Sequence, residues 1–292
     1  MVYNWLSMLL KKIKQYTTLV MFEHTIFSLS FGLFSMLLAG EGRFEIRTVA
    51  LILVALVSAR TGANAINRVI DAEIDAANPR TRSRQLPQRV LNKKEVVLFS
   101  LVCFVVMVAV AFLISPLCGV LSPIALFMMI TYSYTKRFTW ACHLYLGATC
   151  AIAPMGAWLA VTGRFHIIPF LLSLINMFWV AGFDIIYGSL DYDFDSAHNL
   201  FSIPRRFGLK RGLSIAAGLH FLAVGLMFLV GFLSSALSLI YYLGVVIIAI
   251  LLIYEHKIIS PDNLTHAKIA AYNVNQIVSV VFMLFGIVSI YI

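Results

Sequence analysis

Apolar runs of 16 to 22 residues, parted by short polar breaks, recur along the whole chain at 22–39, 48–66, 96–114, 119–134, 143–162, 168–187, 213–231, 237–254 and 269–290. A hydrocarbon core about 30 Å thick takes roughly 20 residues of helix to cross. Lipid offers backbone groups no hydrogen-bond partners, so each run must pair its N–H and C=O groups internally, which a helix does. The pattern therefore predicts an all-α polytopic membrane protein with nine transmembrane helices, forming one domain over residues 1–292. The first run lacks a convincing small-residue cleavage site and precedes many others, so it reads as a retained helix rather than a signal peptide.

Composition agrees: 61% of the residues are apolar, 12% are charged, and mean hydropathy is +0.92. These values exclude an ordinary soluble domain. Orientation follows from Lys and Arg, which accumulate in cytoplasmic loops. The N-terminal tail and alternate loops carry 18 of them, the opposite loops only Arg43, Arg47 and Arg164, and Arg60 lies inside a helix. The N-terminus is thus expected in the cytoplasm and the C-terminus outside. A net charge of +9 gathered on one face suits an anionic headgroup or a phosphate ester. The basic residues are interleaved with acids in short loops, which argues against nucleic acid. Cys103, Cys118, Cys142 and Cys150 show no metal-type spacing and read as small buried hydrophobes.

Only 13 residues are Asp or Glu, and most of them gather at the cytoplasmic ends of the second and sixth spans. The first group is Asn67-x-x-x-Asp71-x-x-x-Asp75, and the second is Asp184-x-x-Tyr187-x-x-x-Asp191-x-x-x-Asp195. Steps of three and four keep side chains on one helical face. Asp71 and Asp191, like Asp75 and Asp195, are offset by 120 residues, which suggests an internal repeat. Two like charges about 4 Å apart repel by roughly 4 kcal/mol at an effective dielectric near 20. Such stripes call for a cation, and Mg²⁺ takes one or two carboxylates while leaving positions for substrate phosphates.

Beyond the first stripe runs Asn78-Pro79-Arg80-Thr81-Arg82-Ser83-Arg84-Gln85-Leu86-Pro87, whose prolines make it a loop. Its arginines are fixed donors matched to phosphate oxygens, and Lys136 and Arg137 stand in the next loop on the same side.

This set, with Tyr134-Thr-Lys136-Arg137, resembles the signature of the UbiA prenyltransferase superfamily across the first seven spans. The resemblance implies nine transmembrane helices and transfer of an isoprenoid from its diphosphate to an aromatic or other acceptor with the help of Mg²⁺. It implies that Asn67, Asp71, Asp75, Asp191 and Asp195 hold Mg²⁺ directly or through water and that Arg80, Arg84 and Lys136 hold phosphate oxygens. Asp184 and Tyr187 would line the reaction centre. The chain departs from the commonest pattern at Arg68, at Met21-Phe22-Glu23-His24-Thr25 and at Asn199-Leu-Phe-Ser-Ile-Pro204. Those features resemble the subgroup associated with 4-hydroxybenzoate polyprenyl transfer in ubiquinone synthesis, some members of which serve the futalosine-dependent menaquinone route on a dihydroxynaphthoate. Glu23 and His24 become candidate acceptor contacts, and a bacterial inner membrane becomes the expected location. No obligate protein partner is implied.

Two other classes compete with this reading. An ion-coupled transporter would place its acids near helix midpoints rather than at cytoplasmic ends. A phosphatidyl-alcohol transferase would carry an Asp-Gly-x-x-Ala-Arg pattern, which is missing.

Overall fold

The computed structural model describes the backbone of residues 2–21 and 25–292 and the side chains of 10–21 and 29–292. The described residues are mostly helical, with one isolated β-bridge between Ser260 and Asn263 and no strand among them. Eight helical stretches among them are long and apolar enough to cross a membrane. In chain order the elements are α1 (Val2–Leu19), α2 (Thr25–Ala39), α3 (Ile46–Ile70), α4 (Ala72–Ala77), α5 (Lys93–Ile114), α6 (Pro116–Thr135), α7 (Cys142–Cys150), α8 (Ile152–Thr162), α9 (Ile167–Gly188), α10 (Tyr192–Ala197), α11 (Ile203–Phe207), α12 (Leu209–Leu233), α13 (Leu239–Lys257) and α14 (Asn275–Tyr291).

The expected span at 22–39 corresponds to α2, whose 15 residues carry no charged side chain and which is shorter than the rest. Glu23 and His24 lie outside the described residues. α1 precedes all the expected spans; it carries Lys11, Lys12 and Lys14, and Lys12 pairs with Glu95 at the start of α5. The expected span at 143–162 is broken at Ala151 into α7 and α8. Pro154 explains the break, since it has no N–H for the carbonyl of Cys150 and its ring crowds that carbonyl. Asn176 of α9 donates Nδ2–H to the Cys150 carbonyl at 2.9 Å, and Ser173 donates to that of Ala151 at 2.8 Å. The last span opens with a π-helical turn, Ile269–Val274.

α9 is the hub of the bundle: with its short extension it buries 67% of its apolar stretch, against at most 39% for the other spans. It packs on α7 and α12, while α3 packs on α5 and α2 on α8 and α14. Trp179 is fully buried, stacks with Phe31, and lies over a core that includes Phe34, Tyr241 and Phe282. Lipid tails are as apolar as these side chains, so helix association here depends on close van der Waals fit rather than on removal from water. Gly147 shows the fit: a Cβ there would stand 2.2 Å from the carbonyl oxygen of Met177, so only glycine lets α7 lie this close to α9.

Candidate diphosphate and metal site

Both acidic motifs stand where a long helix gives way to a short one. α3 ends at Ile70, Asp71 occupies the break with φ −92° and ψ 5°, and α4 carries Asp75 in its first turn. α9 ends at Gly188, a 3₁₀ turn leads to Asp191 at φ −101° and ψ 8°, and α10 carries Asp195 in its first turn. The continuous stripes read from the spacing are therefore each kinked at their middle aspartate. A cavity of about 240 Å³ lies between them, walled by α3, α6, α7 and α9. Asn67, Asp71, Asp75, Arg80, Arg84, Lys136, Asp184, Tyr187 and Asp191 all line it. Asp195 does not; it is fully buried behind the wall.

Each motif carboxylate is already paired with a basic side chain. Arg80 donates Nε–H to Asp191 Oδ1 at 2.9 Å and Nη2–H to Asp191 Oδ2, in a two-pronged contact. It also donates Nη1–H to the Tyr187 hydroxyl and stands over that ring, 4.6 Å from the centroid. Arg84 Nη1 meets Asp75 Oδ1 at 2.6 Å, Lys136 Nζ meets Asp195 Oδ1 at 2.9 Å, and Arg137 Nη2 meets Asp71 Oδ1 at 3.1 Å. Three of these counter-charges are thus supplied by the residues expected to hold phosphate, Arg80, Arg84 and Lys136, and the fourth by Arg137.

These pairs set the protonation behaviour of the rim. Burial pushes the Asp71 carboxyl above its ordinary range, against the pull of Arg137 and the Asn67 hydrogen bond. Burial works against charge on Lys136, yet the Asp195 and Asp191 carboxylates outweigh it and hold the ammonium above its usual range. Arg80 is held up in the same way by Asp191 and Tyr187.

The donor set suits a hard cation. Among the described residues no three His, Cys, Asp or Glu side chains are placed to hold one metal ion. The cavity instead offers oxygen ligands in two separate half-sites. Asp75 Oδ2 is buried without a hydrogen-bond partner among the described residues, and Asn67 Nδ2 orients Asp71 Oδ2 at 2.8 Å. One or two carboxylates with positions open to phosphate and water is the form Mg²⁺ takes, whereas a closed cage of protein ligands would suit Ca²⁺ or Zn²⁺.

Three participants carried no assignment from sequence. Asn78 accepts the Arg80 backbone N–H at 2.9 Å and donates to Asp191 Oδ1 at 2.8 Å, so it fixes the loop and bridges the motifs. Arg137 binds the carbonyls of Ser133 and Ile70 as well as Asp71. His143 meets Asp184 at 2.7 Å. Asn78 and Arg137 stand inside the quoted motifs; nothing in the spacing points to His143.

The fold and the cavity define a polytopic α-helical membrane protein with an acid- and arginine-lined site at the end of its bundle. The chain belongs to the UbiA prenyltransferase family, which matches residues 28–284. A 4-hydroxybenzoate octaprenyltransferase from Vibrio atlanticus (strain LGP32) is 29% identical over 185 residues, 63% of this chain and 65% of that one. The apo structure of a UbiA homolog from Aeropyrum pernix K1 superposes with a TM-score of 0.82 at 31% identity, over 91% of this chain and 98% of the other. A UbiA homolog from Archaeoglobus fulgidus bound to GPP and Mg²⁺ has a TM-score of 0.72 at 20% identity, covering 95% and 100%.

Proposed function

We propose that this prenyltransferase moves a polyprenyl group from its diphosphate to an aromatic hydroxy acid of quinone biosynthesis, 4-hydroxybenzoate or a dihydroxynaphthoate, with Mg²⁺, at the cytoplasmic face of a bacterial inner membrane. The observation that carries this reading is the ring of exchangeable acid–base pairs on one cavity: Arg80 with Asp191, Arg84 with Asp75, Lys136 with Asp195. Each cation can pass from carboxylate to phosphate, and Asp75 and Asp191, once released, can take Mg²⁺. Asn67, Asp71, Asp75 and Asp191 would hold the metal, with Asp195 acting from behind the wall through Lys136. When bound, Mg²⁺ supplies positive charge to the departing diphosphate.

Arg80, Arg84 and Lys136 stabilise the same developing charge directly. Tyr187 lines the reaction centre beneath Arg80, and apolar residues such as Leu146, Val180 and Phe183 keep water from the allylic cation. Asp184 faces the acceptor ring. Glu23 and His24 join it as acceptor contacts on sequence position alone. The acceptor class is supported by the motif resemblance and by the activity named for the Vibrio relative.

The test uses purified protein in lipid nanodiscs with several polyprenyl diphosphates, 4-hydroxybenzoate and dihydroxynaphthoates. Product should form with one acceptor and stop when EDTA removes Mg²⁺. Consumption of diphosphate without prenylation of any aromatic hydroxy acid would exclude the proposed acceptors, and activity that needs an ion gradient would favour a transporter.

A further inference from the structure

His143 sits in the first turn of α7, 3% exposed, in a helix that otherwise faces the bundle with small and apolar side chains. Its Nδ1 lies 2.7 Å from Asp184 Oδ2, and its Nε2 is buried with no hydrogen-bond partner among the described residues. A leucine would fill the space without burying an unpaired nitrogen, so packing alone does not account for an imidazole here. Two glycines set the contact. Gly147, one turn along α7, brings the helix against α9, and Gly188 leaves room for the ring, since a Cβ there would come 2.8 Å from His143 Cε1.

Asp184 differs from its partner in access: its side chain is 26% exposed against 4% for His143, and it lines the cavity. Asp184 lies seven residues, or roughly 10 Å of helix, deeper than Asp191. Tyr187 stands between them with Arg80 over its ring. That order places a carboxylate where the prenyl C1 would meet an acceptor, one group further in than the diphosphate contacts.

We propose that His143 is a positioning residue for proton removal: Nδ1–H fixes Asp184 through Oδ2, and Oδ1 takes the proton that the acceptor ring loses. This deepens the prenyl-transfer reading above and rests on it. A π pair of the ring carbon forms the bond to C1 while the C1–O bonding pair leaves with diphosphate. The ring C–H proton then passes to Asp184 Oδ1, and the C–H bonding pair restores aromaticity. Proton acceptance by a well-placed group is worth about 10²- to 10⁴-fold, and a small misplacement of such a group can cost about a hundredfold.

The experiment compares two rates in the same Mg²⁺-loaded enzyme: prenyl transfer to the acceptor, and slow cleavage of prenyl diphosphate when no acceptor is present. His143→Leu should lower the transfer kcat by about a hundredfold, while cleavage and the KM for prenyl diphosphate stay near wild type. His143→Asn, whose amide N–H can take the place of Nδ1–H, should recover most of the loss. Gly188→Ala, which crowds the ring without removing a polar group, should give an intermediate loss. Wild-type transfer by His143→Leu would overturn the assignment. So would an equal fall in cleavage and transfer, the mark of a purely structural role. Wild-type enzyme that cleaves diphosphate yet prenylates no aromatic acceptor would overturn the proposed function, and this inference with it.

Discussion

Replacing Asp191 by Asn tests the exchange of ion pairs on which the site reading depends. In the structure Asp191 accepts two guanidinium N–H groups from Arg80 and the side-chain N–H of Asn78. An amide keeps one acceptor and turns a donor toward one of those three donors, so at least one charge-assisted bond becomes a repulsive contact and the ion pair is lost. Breaking a buried pair costs about 3–5 kcal/mol. Arg80 keeps 28% of its side chain exposed and remains partly hydrated, which puts the expected cost at the lower end, about 3 kcal/mol. Turnover should fall on the order of a hundredfold or more, the scale of losing one group that stabilises a developing anion, with partial recovery at higher Mg²⁺. Asp71→Asn should separate the two effects. Its partner Arg137 keeps the carbonyls of Ser133 and Ile70, so the stability loss should be only about 1 kcal/mol beside a similar loss of kcat. A charge swap, Arg80→Asp with Asp191→Arg, should regain thermal stability and not activity. Near-normal turnover in Asp191→Asn, or activity restored by the swap, would mean that the pair is a strut between the motifs and nothing more.

Two further outcomes follow from other contacts. Arg84→Lys keeps a charge beside Asp75 and should change the melting temperature little, yet the loss of the planar fork should lower kcat/KM for prenyl diphosphate by about tenfold in steady-state kinetics. Asn176→Ala should strand the Cys150 carbonyl and cost about 1 kcal/mol in detergent unfolding. The double variant with Pro154→Ala should recover most of that, because an alanine at this position brings back the missing helical N–H; a double variant no more stable than the single one would refute this account of the broken span.

Helix placement was legible because lipid makes periodicity irrelevant and length decisive, and runs of about 20 apolar residues have few other readings. The break at Ala151 could be suspected from Pro154, but not its tolerance, which depends on Asn176 more than 20 residues further on. The metal and phosphate candidates were legible because charged side chains are rare in this chain and fall at fixed spacing. Their mutual pairing was not, since no spacing within one motif shows that Asn78 and Arg80 reach Asp191 across more than 100 residues, or that the neighbours Lys136 and Arg137 part to Asp195 and Asp71. His143 was illegible for the same reason: a lone histidine gains meaning only when Gly147 draws α7 onto α9.

The 120-residue offset between the motifs has a structural counterpart. Asp71 and Asp191 adopt nearly the same backbone angles, each is followed by a six-residue helix, and Asp75 and Asp195 occupy equivalent first turns. The pairing, however, is not equivalent. Arg80 and Arg84 come from one loop, yet Arg84 turns back to its own motif while Arg80 crosses to Asp191; Lys136 and Arg137 are neighbours, yet they reach Asp195 and Asp71 respectively. Two cations of one loop thus serve opposite motifs in each case, so either loop moving would disturb both half-sites together. Four carboxylates left unpaired at this depth would repel by several kcal/mol per close pair. By cross-pairing them the fold offsets the negative charge of the cavity with its own side chains. Under the proposed function, a diphosphate arriving with Mg²⁺ would meet partners for both of its charges already in place, and its binding would be an exchange of ion pairs rather than the burial of new charge.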